Sequence, residues 1–208
     1  MTLLSWQSGI VASALLACLC GCTAQAAPDT PGAPTVRPTA GSSVAPALQS
    51  RPAASQVIEF IPDRLELPGH ASAAVHPATT VDGELKVPEN VQHVGWWDGS
   101  AWAGEAFGST VIAGHVDSAT EGMGFFARLL KTGVGDIITL WADSHRLKYR
   151  VTSVRKVPRT ALATDSEAFK QTGPHRLVLI TCTGNYDRGR GGYESNLLVI
   201  ARPQGPAR

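Results

Sequence analysis

Cysteine is nearly absent from the body of this chain. Cys18, Cys20 and Cys22 sit close to the N-terminus, and Cys182 is the only one that follows them. A body with one thiol cannot staple itself, so it is no disulfide scaffold. Charge excess is missing too: 18 Lys and Arg face 17 Asp and Glu, a net charge of +1. That balance supplies no field for nucleic acid, and no nucleic-acid role is expected. There is no long hydrophobic run. The longest, from Ile10 to about Cys22, falls short of the roughly 20 residues that a membrane-spanning helix needs. Metal-ligand patterns are lacking as well. His70, His76, His93, His145 and His175 are scattered, and Glu121, Asp187 and Glu194 form no calcium-loop pattern. No metal and no cofactor is expected.

What is present begins with a leader. The run from Ile10 has the length of an export-signal core, although no Lys or Arg precedes it. Its exit reads three ways. Leu19-Cys20-Gly21-Cys22 resembles a bacterial lipoprotein processing box, which would place a lipid on Cys22. Ala24-Gln25-Ala26 fits a small-residue cleavage site, or the run stays uncut as a marginal anchor. Residues 1–26 are thus an export signal or a membrane or lipid anchor. The protein is expected outside the cytoplasm, attached to the outer face of the cell membrane. Residues 27–56, "APDTPGAPTVRPTAGSSVAPALQSRPAASQ", are rich in Ala and Pro and hold almost no large apolar residue. Such text cannot build a core and reads as a disordered linker. Residues 57–203 remain as one domain. In an exported domain a lone thiol is either a catalyst or a packed core residue.

Within that domain short apolar runs alternate with turn signals. Arg64–Leu67, Ser109–Ala113, Asp136–Trp141, Arg146–Lys156, Arg176–Thr181 and Asn196–Ala201 read as strands. "DSHR", from Asp143, reads as a hairpin turn. Helical text is confined to "GFFARLLKT" and "SEAFKQT". The expected class is all-β, a barrel or sandwich with short helical insertions. Trp96 and Trp97 would face opposite sides of a strand, one to the core and one outward.

Three chemical features share this map. "TVIAGHVDS" carries His115 at the end of a strand, "LVLITCTG" carries Cys182 at the end of another, and "DRGRGG" follows with Arg188 and Arg190. His115 and Cys182 are far apart in sequence, so only two strands ending at one rim would join them. A thiolate attacks a carbonyl, a fixed donor meets the oxygen that turns negative, and an imidazole protonates the departing amine. Cys, His and Arg suffice for acyl transfer. Taken singly, each fits a blander place: a packed thiol, a turn histidine, a solvated basic loop. Asp117 is expected to cap the turn after His115 rather than orient its imidazole.

The stretches "VIAGHVDS", "GFFARLLKTGVGDIITL" and "LVLITCTGNYD…GGYESNLLVIA" resemble the sortase family, most of all its actinobacterial class F group. "DGELKVP" followed by "VGWWDG" is similar to that group as well, and the likeness spans about Pro62 to Pro203. It implies a closed eight-stranded β-barrel with the site in a groove at one side. It implies a cysteine transpeptidase that cleaves an LPXTG-like sorting signal between Thr and Gly. The acyl group would be held as a thioester and passed to an amine of a peptidoglycan precursor or a surface protein. The partners would be surface proteins bearing a C-terminal sorting signal, and the enzyme itself a monomer. By these blocks Cys182 matches the nucleophile and His115 the family histidine. The family's arginine does not carry over: Glu194, Ser195 and Asn196 occupy its zone. Arg188 and Arg190 are nearest, and Arg190 is preferred because glycines flank it; backbone N–H groups near Cys182 are the other source of donors. Three readings compete. A cell-wall transpeptidase with a Ser-x-Gly-Cys-Arg motif is disfavoured by "ITCTG", and a papain-like order by His115 preceding the cysteine. A non-catalytic exported binding module is the third.

Overall fold

The computed structural model describes residues 57–208; the leader and linker expected over 1–26 and 27–56 lie outside the described residues. Eight strands close into a barrel: β1 (Arg64–Glu66), β2 (Ser72–Ala78), β3 (Val94–Trp97), β4 (Ser109–Ala113), β5 (Ile137–Ala142), β6 (His145–Pro158), β7 (Arg176–Asp187) and β8 (Gly192–Pro203). Around the barrel the order is β1-β2-β3-β4-β7-β8-β6-β5, and β5 returns to β1. All neighbours are antiparallel except β2 with β3 and β4 with β7. The all-β barrel expected from the sequence is the fold. Asp143 takes φ 50° in the tight turn that joins β5 to β6, as "DSHR" implied.

Alternation along the long strands makes two cores. Leu177, Leu179, Leu197, Val199 and Ala201 point into the barrel and pack with Phe126, Leu129, Ile138 and Leu140. Val178, Ile180, Leu198 and Ile200 point outward with Val111, Ala113 and Val157. β7 and β8 are apolar on both faces for this reason, which is why they read as continuous hydrophobic runs. Trp96 and Trp97 divide as expected. Trp96 is in the barrel core, and Trp97 packs against the outer cluster.

The outer core is covered by a short wall between β6 and β7. It consists of a 3-10 segment, Arg159–Thr164, and one helical turn, α1 (Ser166–Phe169). Ala161, Leu162, Ala168 and Phe169 face the outer cluster, and the Phe169 ring meets Trp97 edge-on at 5.5 Å. Polar groups fix the wall at both ends. Asp165 accepts from the N–H groups of Glu167 and Ala168 and takes two bonds from the Arg155 guanidinium, at 2.6 and 2.8 Å. Arg176, buried at 4% exposure, donates to the carbonyls of Glu167, Lys170, Thr172 and Pro174. One side chain at the start of β7 thus holds the far end of the wall.

Candidate active site

The parallel pair β4–β7 keeps a constant register, from Arg176 opposite Ser109 to Ile180 opposite Ala113, an offset of 67 residues. The ladder does not stop cleanly. Gly114 N–H donates to the Ile180 carbonyl at 3.1 Å, and Thr181 Oγ1 donates to the Gly114 carbonyl at 2.9 Å. Continuing the same offset sets His115 level with Cys182. Cys182 falls on the outer face, because Ile180, two residues earlier on β7, belongs to the outer core; His115 follows two residues past the end of β4 at the same rim. Both side chains are partly buried.

The row extends across two further strands. Cys182 pairs with Asn196 on β8, and Asn196 pairs with Val157 on β6. Cys182, Asn196 and Val157 therefore lie side by side on one face, with Arg159 two residues beyond Val157 and His115 just past the end of β4. Just past Cys182 the β7–β8 register slips. Thr183 opposes Ser195 and Tyr186 opposes Tyr193, so Gly184 and Asn185 face Glu194 alone. A bulge of this kind bends its strand and increases the local twist where the two-stranded arm begins. Gly184 makes it possible, with φ +90° and the Glu194 side chain 2.8 Å from where a Cβ would stand. On the other side Gly124 lets its segment lie against the His115 carbonyl, which a Cβ there would strike.

Charge around the thiol is mixed. Burial pushes the Cys182 thiol above its ordinary range, the Asp117 carboxylate pushes it further, and the Arg159 guanidinium partly offsets both. The resting cysteine is thus a protonated thiol at neutral pH. Asp117 begins a short hairpin, pairing with Met123, but the turn is capped by Ser118 Oγ, which accepts from the N–H groups of Thr120 and Glu121 at 3.3 and 3.4 Å, and not by the Asp117 carboxylate as expected. It also has a partner that neither reading foresaw: Tyr193 Oη donates to Asp117 Oδ2 at 2.6 Å, and that bond helps push the phenol up to about 12. Beside the cysteine, Asn196 is 7% exposed and its Nδ2 has no hydrogen-bond partner among the described residues. A buried amide donor left unsatisfied costs about 1–3 kcal/mol.

A family model for the sortase domain matches residues 65–204, two-thirds of the chain. The chain belongs to the sortase family. Solved sortases share its fold. Sortase A from Corynebacterium diphtheriae, a lid mutant, is 21% identical with a TM-score of 0.53, over 73% of this chain and 74% of that one. Sortase C-1 from Actinomyces oris is 23% identical with a TM-score of 0.51, over 68% and 71%. Sortase C from Streptococcus pneumoniae is 19% identical with a TM-score of 0.51; 69% of this chain covers 66% of that one, just under two-thirds of its length. No curated protein matches the chain.

In this sortase domain the structure places the expected arginines in the turn between β7 and β8, a 3-10 segment spanning Arg188–Arg190. Both side chains are exposed; that of Arg190 is 88% exposed and pairs with Asp187 at 3.4 Å. No described contact ties either guanidinium to Cys182. Arg159 is the arginine whose charge acts on the thiol. Its Nη1 and Nη2 donate to the carbonyls of Gly191 and Arg190 at 2.6 and 2.7 Å, which sets it across the base of the β7–β8 arm. Sequence reasoning missed Arg159 because it stands at a strand exit, after Pro158, with no motif around it. Asn196 was passed over because it stands where an arginine was sought.

Proposed function

We propose that this domain is a cysteine transpeptidase in which Cys182 is the nucleophile and His115 the acid–base group. The observation that supports the reading is the fixed register of the adjacent parallel strands β4 and β7, whose ends bring His115 and Cys182 to the same rim of a sortase barrel. Because the resting thiol is protonated, the imidazole has to take its proton as a substrate carbonyl arrives. Sulfur then bonds to the carbonyl carbon and the π pair moves to oxygen. The tetrahedral centre collapses, the C–N bond breaks, and the His115 imidazolium gives the proton to the departing amine. A thioester remains. An acceptor amine attacks it, His115 removes the amine's proton, and the thiol is restored.

For the cation of the site we assign Arg159 rather than Arg190 or Arg188, because its charge favours the thiolate and any negative charge that develops beside it. The substrate in this reading is an LPXTG-like sorting signal, cut between Thr and Gly, on a surface protein. The acceptor is an amine of a peptidoglycan precursor or of another surface protein. The sequence blocks around Leu85 and Trp97 support placing the enzyme with the class F sortases. The apolar leader supports export and attachment to the outer membrane face, with the catalytic domain working as a monomer beyond its linker.

Incubation with an LPXTG-type peptide, followed by mass spectrometry of the protein, tests the chemistry. The wild type should gain one acyl adduct, mapped to Cys182. C182A should gain none and cleave nothing while melting like the wild type. A folded C182A protein that still cleaves the peptide refutes the reading.

A further inference from the structure

We propose that Asn196 is a catalytic residue whose Nδ2 donates a hydrogen bond to the carbonyl oxygen of the acyl group attacked by Cys182. The inference rests on the acyl-transfer reading of Cys182 and names a donor that the reading leaves open. Its first support is register. Cys182 and Asn196 are direct cross-strand partners on β7 and β8. Facing residues of an antiparallel pair carry their side chains on the same side with Cβ atoms about 4.5–5.5 Å apart. The bulge begins only beyond Thr183 and Ser195, so this pair lies in regular sheet.

The second support is the unused donor. Asn196 is 7% exposed, and its amide nitrogen has no partner among the described residues. The three other buried side-chain polar atoms in that state belong to Trp96, Trp141 and His175, and none of these lies on the row of Cys182. An asparagine retained for structure would spend its amide on a backbone or side-chain acceptor. On the outer face its neighbours are Leu198 and Val157, which accept nothing, Glu194, whose Oε1 accepts from the Asn185 N–H, and Cys182 itself. The acceptor that would complete Nδ2 therefore has to come from outside the chain, next to sulfur. The oxygen of a carbonyl under attack at Cys182 is such a group, one bond from the carbon that sulfur joins. A preformed donor at that place is stronger against an oxyanion than against the ground-state carbonyl, which is the condition for raising kcat. A neutral amide also leaves the thiol's own protonation largely unchanged, unlike the charged Asp117 and Arg159.

The step balances without any further reagent. The thiol proton passes to His115, the C–S bond forms and the carbonyl π pair becomes the oxyanion that Nδ2 meets; the pair then returns, the bond from the acyl carbon to the leaving group breaks, and that group takes the proton from His115.

Two reagents separate this role from others, and neither depends on knowing the sorting peptide. p-Nitrophenyl acetate acetylates the thiol through an oxyanion; iodoacetamide alkylates it without one. Rates with both are measured on the full domain for the wild type, N196A, N196L, N196Q and C182A, with a thermal melt for each. N196L fills the site without a donor and serves should the alanine variant fail to fold. For N196A and N196L the ratio of acetylation to alkylation should fall at least about tenfold, with alkylation itself within about twofold of wild type. N196Q, which keeps an amide, should recover part of the ratio. Turnover of an LPETG peptide should fall in kcat more than it changes in KM. A ratio unchanged in folded N196A or N196L overturns the proposal. So does a parallel loss of both rates, since the amide would then act on the thiol and not on the carbonyl. If wild type and C182A react alike with both reagents, Cys182 is no nucleophile; that failure shows before any Asn196 variant is compared and removes the proposal with it.

Discussion

Removing the Arg159 guanidinium separates catalysis from stability. Its two nitrogens bond the carbonyls of Gly191 and Arg190 at 2.6 and 2.7 Å, at the solvent-exposed base of the β7–β8 arm. Exposed charge-assisted bonds of this kind contribute roughly 1 kcal/mol together. For a domain of this size that corresponds to a fall in Tm of about 2–4 °C on Arg159→Ala. The catalytic loss should be far larger. With Arg159 gone, burial and the Asp117 carboxylate act on the Cys182 thiol unopposed. The thiol then climbs further, so at fixed neutral pH the thiolate fraction falls and alkylation slows. Loss of a cation beside a developing negative charge typically adds about a hundredfold in kcat, near 2.7 kcal/mol. Arg159→Lys should recover only part, since an ammonium cannot span both carbonyls as a planar fork does. The controls are Arg190→Ala and Arg188→Ala. Arg159 holds the backbone carbonyl of Arg190, not its side chain, and that side chain is 88% exposed. Both variants should stay within about threefold of wild type. The assay is kcat and kcat/KM on one LPXTG-type peptide, with C182A as the blank and a melt for each variant. Near-normal turnover in Arg159→Ala, with a hundredfold loss in Arg190→Ala, would refute the assignment and move the cation to the exposed turn.

Two more outcomes follow from the same geometry. Asp117→Asn removes a negative charge that disfavours the thiolate while leaving an amide oxygen for the Tyr193 hydroxyl. The alkylation profile of Cys182 should move to lower pH, and the rate at pH 7.5 should rise severalfold; an unchanged profile would mean that burial alone sets the thiol. Arg176→Met leaves four carbonyls of the wall without their buried donor. It should cost about 2–4 kcal/mol and lower Tm by roughly 5–15 °C. A melt within 2–3 °C of wild type would show that solvent replaces those bonds.

Strand legibility tracked burial on both faces. Ser109–Ala113 is fully buried and was read with its true bounds. β7 and β8 were found by their apolar centres, but their outer ends were not: past the bulge Gly192 and Tyr193 pair with Asp187 and Tyr186 rather than with the barrel, so no core demands apolar residues there. β2, "SAAVHPA", went unread because its small residues and Pro77 carry little strand signal. Its buried positions are supplied by Ala73, Val75 and Ala78. The two helical segments were legible as text, yet their role was not. That α1 lies on the outer core, and not across a barrel mouth, follows from Arg155 and Arg176, whose partners are distant in sequence or are backbone carbonyls.

The site divides along the same physical line. Cys182 and His115 stand out as candidates in the sequence because each ends an apolar run, and strand ends are places where chemistry meets solvent. Their alignment was not legible, for it depends on β4 and β7 being parallel neighbours with a fixed offset of 67 residues. Once that pairing exists, the other groups on the row follow from alternation alone. Asn196 sits two residues before Leu198 on the outer face, and Val157 lies beyond it on β6. Arg159 then reaches the arm from a third strand. A search along the chain from the cysteine meets Arg188 and Arg190 first, because sequence distance is the only distance it has. In the sheet the order reverses. The arginines close in sequence turn outward on a bulged arm, and the one that acts on the thiol arrives from a strand that ends 24 residues before Cys182. Donors in a β-barrel site are recruited across strands, so the cross-strand neighbours of a nucleophile are the residues to test before its neighbours in sequence.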